Sequence, residues 1–240
     1  SGRTVGIVAV DPSSPYSGGA ILGDRVRMSD LATDPGVFIR SLATRGALGG
    51  LARAALDTVD VLDAAGFNVV LIETVGVGQD EVDIAEAAET VLVVSAPGLG
   101  DGIQAIKAGV LEIADIHVVS KCDKEESSRT VADLKSMLHL GSTARARYGW
   151  DVPVLRTSAE TSLGIDDLID MLDAHRKHLI DSGERIIRRR RILEMRILKT
   201  AEDLLRQRIG QGDALATVVE GSLAGELSPR QAAEALLKTL

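Results

Sequence analysis

The feature that most constrains this chain is an alternation of short Val- and Ile-rich runs with longer helical stretches. Residues Val5–Val10, Val69–Ile72, Thr90–Ser95, Ile116–Ser120 and Val154–Thr157 are continuous apolar runs that end in polar residues or glycine, as strands buried on both faces do. Residues 51–65, 104–114, 129–138 and 165–179 between them carry helical patterns. Strands alternating with helices require right-handed parallel crossovers, so the expected class is α/β with a doubly wound, mostly parallel sheet. Aromatic residues make up only 2% of the chain, and a core of Ala, Val, Leu and Ile suits such a sheet. Ligands of these sheets sit beyond the carboxyl ends of the strands.

The pattern changes after Gly183. Residues 184–209 read as one long helix with an apolar stripe at Leu193, Ile197, Ala201 and Leu204. A last helix starts at Ser228-Pro229-Arg230-Gln231, a capping box with proline in the first turn. The expected division is therefore a main domain over 1–183 and a helical extension over 184–240, whose stripe must dock on the main domain or on another subunit. The net charge of −8 argues against a general nucleic-acid partner, and the basic run Arg188–Arg191 reads as a solvated helix face. Cys122 is the single cysteine, which excludes an internal disulfide and suits a reducing compartment. No apolar run reaches the ~18 residues of a membrane span and no secretory signal is present, so the expected location is cytoplasmic, with no membrane partner. His175 and His178 lie three apart on a helix, and without a third ligand they read as solvent-exposed rather than as a metal pair.

The strand ends carry the chemistry. Asp11 closes the first run and Glu73 the second, followed by Thr74-Val75-Gly76-Val77-Gly78-Gln79. An acidic residue after an apolar strand is where phosphate-transfer enzymes hold Mg²⁺ or its water shell, and Gly76 stands where a backbone N–H can approach a terminal phosphate. Ser120-Lys121-Cys122-Asp123 follows the fourth run. One carboxylate there can accept both the ring N–H and the exocyclic amine of guanine while a lysine stem covers the ring. GTPases usually carry Asn-Lys-x-Asp at this place, so Ser120 is a departure. Thr157-Ser158-Ala159, one strand later, has the spacing of the GTPase segment that faces the guanine carbonyl. Together the two segments point to a guanine nucleotide.

The chain resembles the MeaB/ArgK family, GTPase chaperones of methylmalonyl-CoA mutase. The resemblance rests on the run from Val10-Asp11-Pro12-Ser13-Ser14 through Ser17-Gly18-Gly19-Ala20-Ile21-Leu22-Gly23-Asp24-Arg25, on Phe38-Ile39-Arg40, on Arg45-Gly46-Ala47-Leu48-Gly49-Gly50, and on 73–79. It implies a SIMIBI-like P-loop NTPase fold and a helical dimerisation arm, hence a homodimer. It also implies that Asp11, Asp24 and Glu73 surround Mg²⁺ and the attacking water, and that Gly76 senses the γ-phosphate of GTP. By the same resemblance Ser120, Lys121 and Asp123 read the base with Thr157, Ser158 and Ala159, and the loop from Gly98 to Lys107 reports nucleotide state to a cobalamin-dependent acyl-CoA mutase. The implied activity is hydrolysis of GTP to GDP in a gatekeeper role; the alternative is an ATPase or kinase attached to lysine, arginine and ornithine transport, an older label of this family.

The GxxxxGKS/T loop that grips phosphate in such enzymes occurs nowhere in the 240 residues. The expectation is that the intact product carries it, with its strand and helix, in about 60 or more further N-terminal residues, by analogy with the family's architecture. That strand would sit near the middle of the sheet, and without it both neighbours would expose ladder groups and apolar faces.

Overall fold

A computed structural model describes residues 2–11, 28–31, 33–43, 53–74, 87–97, 113–140, 149–210 and 213–239. Its strands are β1 (Val5–Asp11), β2 (Val37–Ala43), β3 (Val69–Thr74), β4 (Leu92–Ser95), β5 (Ile116–Val119) and β6 (Val154–Arg156). The α-helices are α1 (Arg53–Ala64), α2 (Ser127–Leu140), α3 (Ile165–Asp181), α4 (Glu184–Gly210), α5 (Ala214–Leu223) and α6 (Pro229–Leu237). The five expected strands are present within a residue or two. The helix expected over 104–114 falls almost wholly outside the described residues. So do the Gly-Gly-x-Ile-Leu-Gly-Asp string with Asp24, the segment from Val75 to Gln79 with Gly76, Arg45–Gly50, and the loop from Gly98 to Lys107.

All pairing among the described strands is parallel, in two ladders of order β2-β1-β3 and β4-β5-β6. A single sheet was expected; among the described residues no strand joins β3 to β4. Burial follows this division. In the central strand β1, Val8 and Ala9 are fully buried, and all four residues of β5 are buried. The lateral strands β3 and β4 are equally apolar in sequence but mostly half-buried, with Leu71 and Val94 exposed. α1 covers the first ladder through Ala55, Leu56 and Leu62. Gly6 permits this closeness, because a Cβ there would stand 2.8 Å from the Leu62 side chain. α2 covers the second ladder with Ser127, Thr130, Leu134 and Leu138, a stripe at helical spacing.

Strand β2 was not among the expected strands. Its segment Val-Phe-Ile-Arg-Ser-Leu-Ala is broken by Arg40 and Ser41 instead of running continuously apolar, and Phe38 and Arg40 are exposed, as befits a lateral strand with one face toward solvent. The compact units are Ser1–Ile192 and Leu193–Leu240, so their division falls inside α4. In the second unit α5 and α6 pack on each other, and α6 begins with the expected capping box: Ser228 Oγ accepts from Gln231 N at 3.4 Å, and Gln231 Oε1 accepts from Ser228 N at 3.0 Å. Of the expected α4 stripe, Leu193, Ile197 and Leu204 are exposed.

Two expectations about charged residues are corrected. Arg188 is not on a solvated face. Its guanidinium makes a bidentate pair with Asp115 (Nη1–Oδ2 2.7 Å, Nη2–Oδ1 2.8 Å) and donates to the Glu89 carbonyl at 2.9 Å. Arg185 Nε donates to Glu89 Oε2 at 2.8 Å, and Arg189 approaches the same carboxylate. Nor is His175 exposed. It is fully buried, with Nδ1 2.9 Å from Thr90 Oγ1 and Nε2 3.5 Å from Asp115 Oδ1, and its ring meets that of Trp150. The reason is common to both: Asp115 and Glu89 precede β5 and β4, at the amino rim of the second ladder, and present a buried or half-buried carboxylate to the helices that cross it. Burial pushes the Asp115 carboxyl up, but His175 and the Arg188 guanidinium more than offset this and hold it below its ordinary value.

Removing Arg188 leaves a carboxylate buried without its main partner, so Arg188→Met is expected to lose ~3–5 kcal/mol in urea denaturation. Because the folded pKa of Asp115 lies below the unfolded one, its contribution is complete above the ordinary carboxylate range and is lost as pH falls through the lower folded value. Denaturation curves of Asp115→Asn should lack that part of the acid-side slope.

Candidate nucleotide site

The carboxyl ends of the two ladders place the sequence-derived residues in two groups. β1 ends at Asp11 and its neighbour β3 carries Glu73 one residue before its end, opposite Ala9. Glu73 is half-buried, and among the described residues its buried Oε2 has no hydrogen-bond partner. A carboxylate oxygen seldom stays so placed at a strand end unless a cation or a cation's water shell completes it. Glu73 therefore fits the Mg²⁺ role, with Asp11 at the same rim one strand away. Asp24 and Gly76 lie outside the described residues.

The second group is built more completely. Beyond β5 the chain turns sharply: Lys121 adopts a left-handed backbone (φ 52°), an arrangement that costs a non-glycine residue and persists only where neighbours hold it. The turn splits its residues. Cys122 points into the core, whereas Lys121 and Asp123 are exposed. From the β6 side, Thr157 N donates to Val119 O at 2.8 Å and Cys122 N donates to Thr157 O at 2.9 Å. The buried Ser158 donates its hydroxyl to Asp123 Oδ1 at 2.6 Å. That bond, with the turn's own backbone and the charges of Lys124 and Lys121, holds the Asp123 carboxyl below its ordinary value. Asp123 is thus ionised at neutral pH and keeps Oδ2 and the outer lone pairs for a ligand's donors. From the β4 side, Ser120 N and Ser120 Oγ both donate to Ser95 O, at 2.8 and 3.0 Å.

Several residues that shape this site were not singled out in the sequence. Ser95 anchors the turn from β4. Ser127 Oγ donates to Cys122 O at 3.2 Å and accepts from Arg156 Nη2 at 3.1 Å. Gly164 closes the loop after β6. Ser158 N donates to Leu163 O at 2.9 Å, and Gly164 has φ 70° with its missing Cβ aimed 1.9 Å from the Arg156 carbonyl oxygen. A glycine one residue before a helix was the only signal available for it. The apolar groove lined by Phe38, Val61 and Phe67 lies between β2 and α1, with neither the hydroxyls nor the carboxylate cluster of the strand ends. Among the described residues, no group of three or more His, Cys, Asp or Glu side chains converges as a metal cage, and no helix is long and apolar enough to cross a membrane.

Gly164→Ala tests the loop. The left-handed backbone alone costs ~1–2 kcal/mol and the clash with the Arg156 carbonyl adds to it. The expected result is a lower melting temperature together with a loss of the Ser158–Asp123 bond, seen as an upward move of the Asp123 carboxyl titration by NMR.

Comparison with known proteins adds an independent line. Residues 1–214 match the family described as methylmalonyl Co-A mutase-associated GTPase MeaB. A relative from Pyrococcus abyssi, named as a GTPase, is 52% identical over 82% of the chain and 60% of its own length. One from Pyrococcus horikoshii is 42% identical over the whole chain and 76% of its length. The mouse mitochondrial methylmalonic aciduria type A homolog is 32% identical over 99% of the chain and 58% of its length. The chain thus spans about three-fifths of two of these relatives and about three-quarters of the third.

Proposed function

The chain belongs to the MeaB family of methylmalonyl-CoA mutase-associated GTPases, and on that premise we propose that it binds GTP and hydrolyses it to GDP in the service of a cobalamin-dependent acyl-CoA mutase. The observation that carries the reading is the base reader: an ionised Asp123 fixed by Ser158 at 2.6 Å beside an exposed, left-handed Lys121. Asp123 accepts the ring N–H and the exocyclic amine of guanine, the Lys121 stem covers the ring face, and the exposed Ala159 offers its backbone to the guanine carbonyl. Adenine presents an acceptor and a reversed amine at these places, so the same carboxylate repels it.

At the other rim group, Glu73 and Asp11, with Asp24, would hold Mg²⁺, which would offset charge on the phosphates. Glu73 also orients a water for in-line attack, and Gly76 N–H meets the γ-phosphate. The water oxygen bonds to the γ-phosphorus, the bond to the β–γ bridging oxygen breaks, and GDP and phosphate leave. The sequence specifies no arginine finger, so turnover alone is expected to be slow and partner binding to accelerate it. The exposed apolar residues of α4 serve a homodimer, with the extension over 184–240 as its arm.

In the intact protein, Asp123→Ala is expected to reduce the preference for GDP over ADP about 100-fold, the worth of two charge-assisted hydrogen bonds. Nucleotide titration measures it, and equal binding of ATP and GTP by the unsubstituted protein would favour the transport-ATPase alternative. A pull-down of candidate acyl-CoA mutases with GDP or a non-hydrolysable GTP analogue tests the partner. Capture that ignores the nucleotide, or no capture at all, counts against the gatekeeper role.

A further inference from the structure

The base-reading turn is gripped from two sides, and its β4 side depends on a residue that departs from the usual Asn of GTPases. Ser120 N and Ser120 Oγ share one acceptor, the Ser95 carbonyl, at 2.8 and 3.0 Å. Ser95 is the last residue of β4, and Ser120 directly follows β5. On the β6 side the grip consists of Cys122 N on Thr157 O and Ser158 Oγ on Asp123 Oδ1. Lys121, in the left-handed region, sits between the two anchors. Such a backbone state at a non-glycine residue holds only if both flanks are fixed, and its release would swing the following residues. Asp123 is exposed, so its aim depends on these anchors rather than on packing of its own side chain.

We propose that Ser120 is a positioning residue for base selection: through its hydroxyl bond to Ser95 it fixes the β4 flank of the turn and thereby the aim of Asp123 at the guanine edge. The side chain does not touch the base in this role. It replaces a long amide with a short hydroxyl that reaches the neighbouring strand end, so selection of guanine rests on Asp123 held from β4 and from β6 alike. This rests on the guanine-nucleotide reading above and extends it to a residue that composition and motif leave ambiguous.

The test uses the intact protein and compares GDP with inosine diphosphate, which lacks the exocyclic amine that Asp123 accepts. Ser120→Ala should weaken GDP binding about 2- to 10-fold, the worth of one neutral hydrogen bond, and should bring the GDP-to-IDP ratio closer to one. Ser120→Thr keeps the hydroxyl and should preserve both affinity and ratio. A Ser120→Ala protein that retains the original ratio, whatever its melting temperature, overturns the proposal and leaves Ser120 a turn residue. Asp123→Ala separates the two levels. If it abolishes the ratio while Ser120→Ala does not, only the positioning role fails; if the unsubstituted protein shows no preference for GDP over IDP, the base-reading assignment falls with it.

Discussion

The pairing of Asp115 with Arg188 is the contact on which the second ladder's lower half depends. Asp115 sits immediately before β5, its side chain accepts from Val91 N at 2.9 Å, and its carbonyl accepts the Trp150 indole N–H at 2.9 Å. One residue thus ties the entry of β4, the entry of β5, the segment before β6 and the first turns of α4 together. A buried ion pair of this kind adds little over an apolar replacement, yet removing one partner is expensive. Its value lies in register: with the amino rim fixed, the four-residue strand β5 delivers Ser120 to Asp123 at a set height on the opposite rim.

The proposed division of labour, structural charge at one rim and ligand-directed charge at the other, accounts for the different surroundings of the two sets of polar residues. Asp115 and His175 are buried and paired among themselves. Lys121 and Asp123 are exposed, and the hydrogen bond Asp123 receives from Ser158 leaves its outer lone pairs free. Glu73 falls between these cases, half-buried with one oxygen that has no hydrogen-bond partner among the described residues.

Much of this was legible in the sequence, and the misses have physical causes. Strands β1 and β5 announced themselves because burial on both faces forces unbroken apolar runs. β2 did not, since Arg40 and Ser41 interrupt a lateral strand whose pairing partner is remote in sequence. α5 was overlooked because Ala-Leu-Ala-Thr-Val-Val-Glu-Gly-Ser-Leu mixes β-branched residues and a glycine, against helical propensity. Asp123 and Ser158 were legible as motif residues, but Ser95 and Gly164 were not, because their roles consist of a carbonyl and a missing Cβ. Arg188 and His175 were misread for one reason: a sequence shows a charge or an imidazole and conceals the carboxylate that waits many residues earlier in the chain.

Trp150 is the sole tryptophan, and its ring lies 4.8 Å from that of His175 and 5.2 Å from that of His178. The chain therefore carries a built-in optical probe whose neighbours are imidazoles rather than a nucleotide. Its emission would report on the packing of α3 against the amino rim of the second ladder, the rim opposite the turn that carries Lys121 and Asp123.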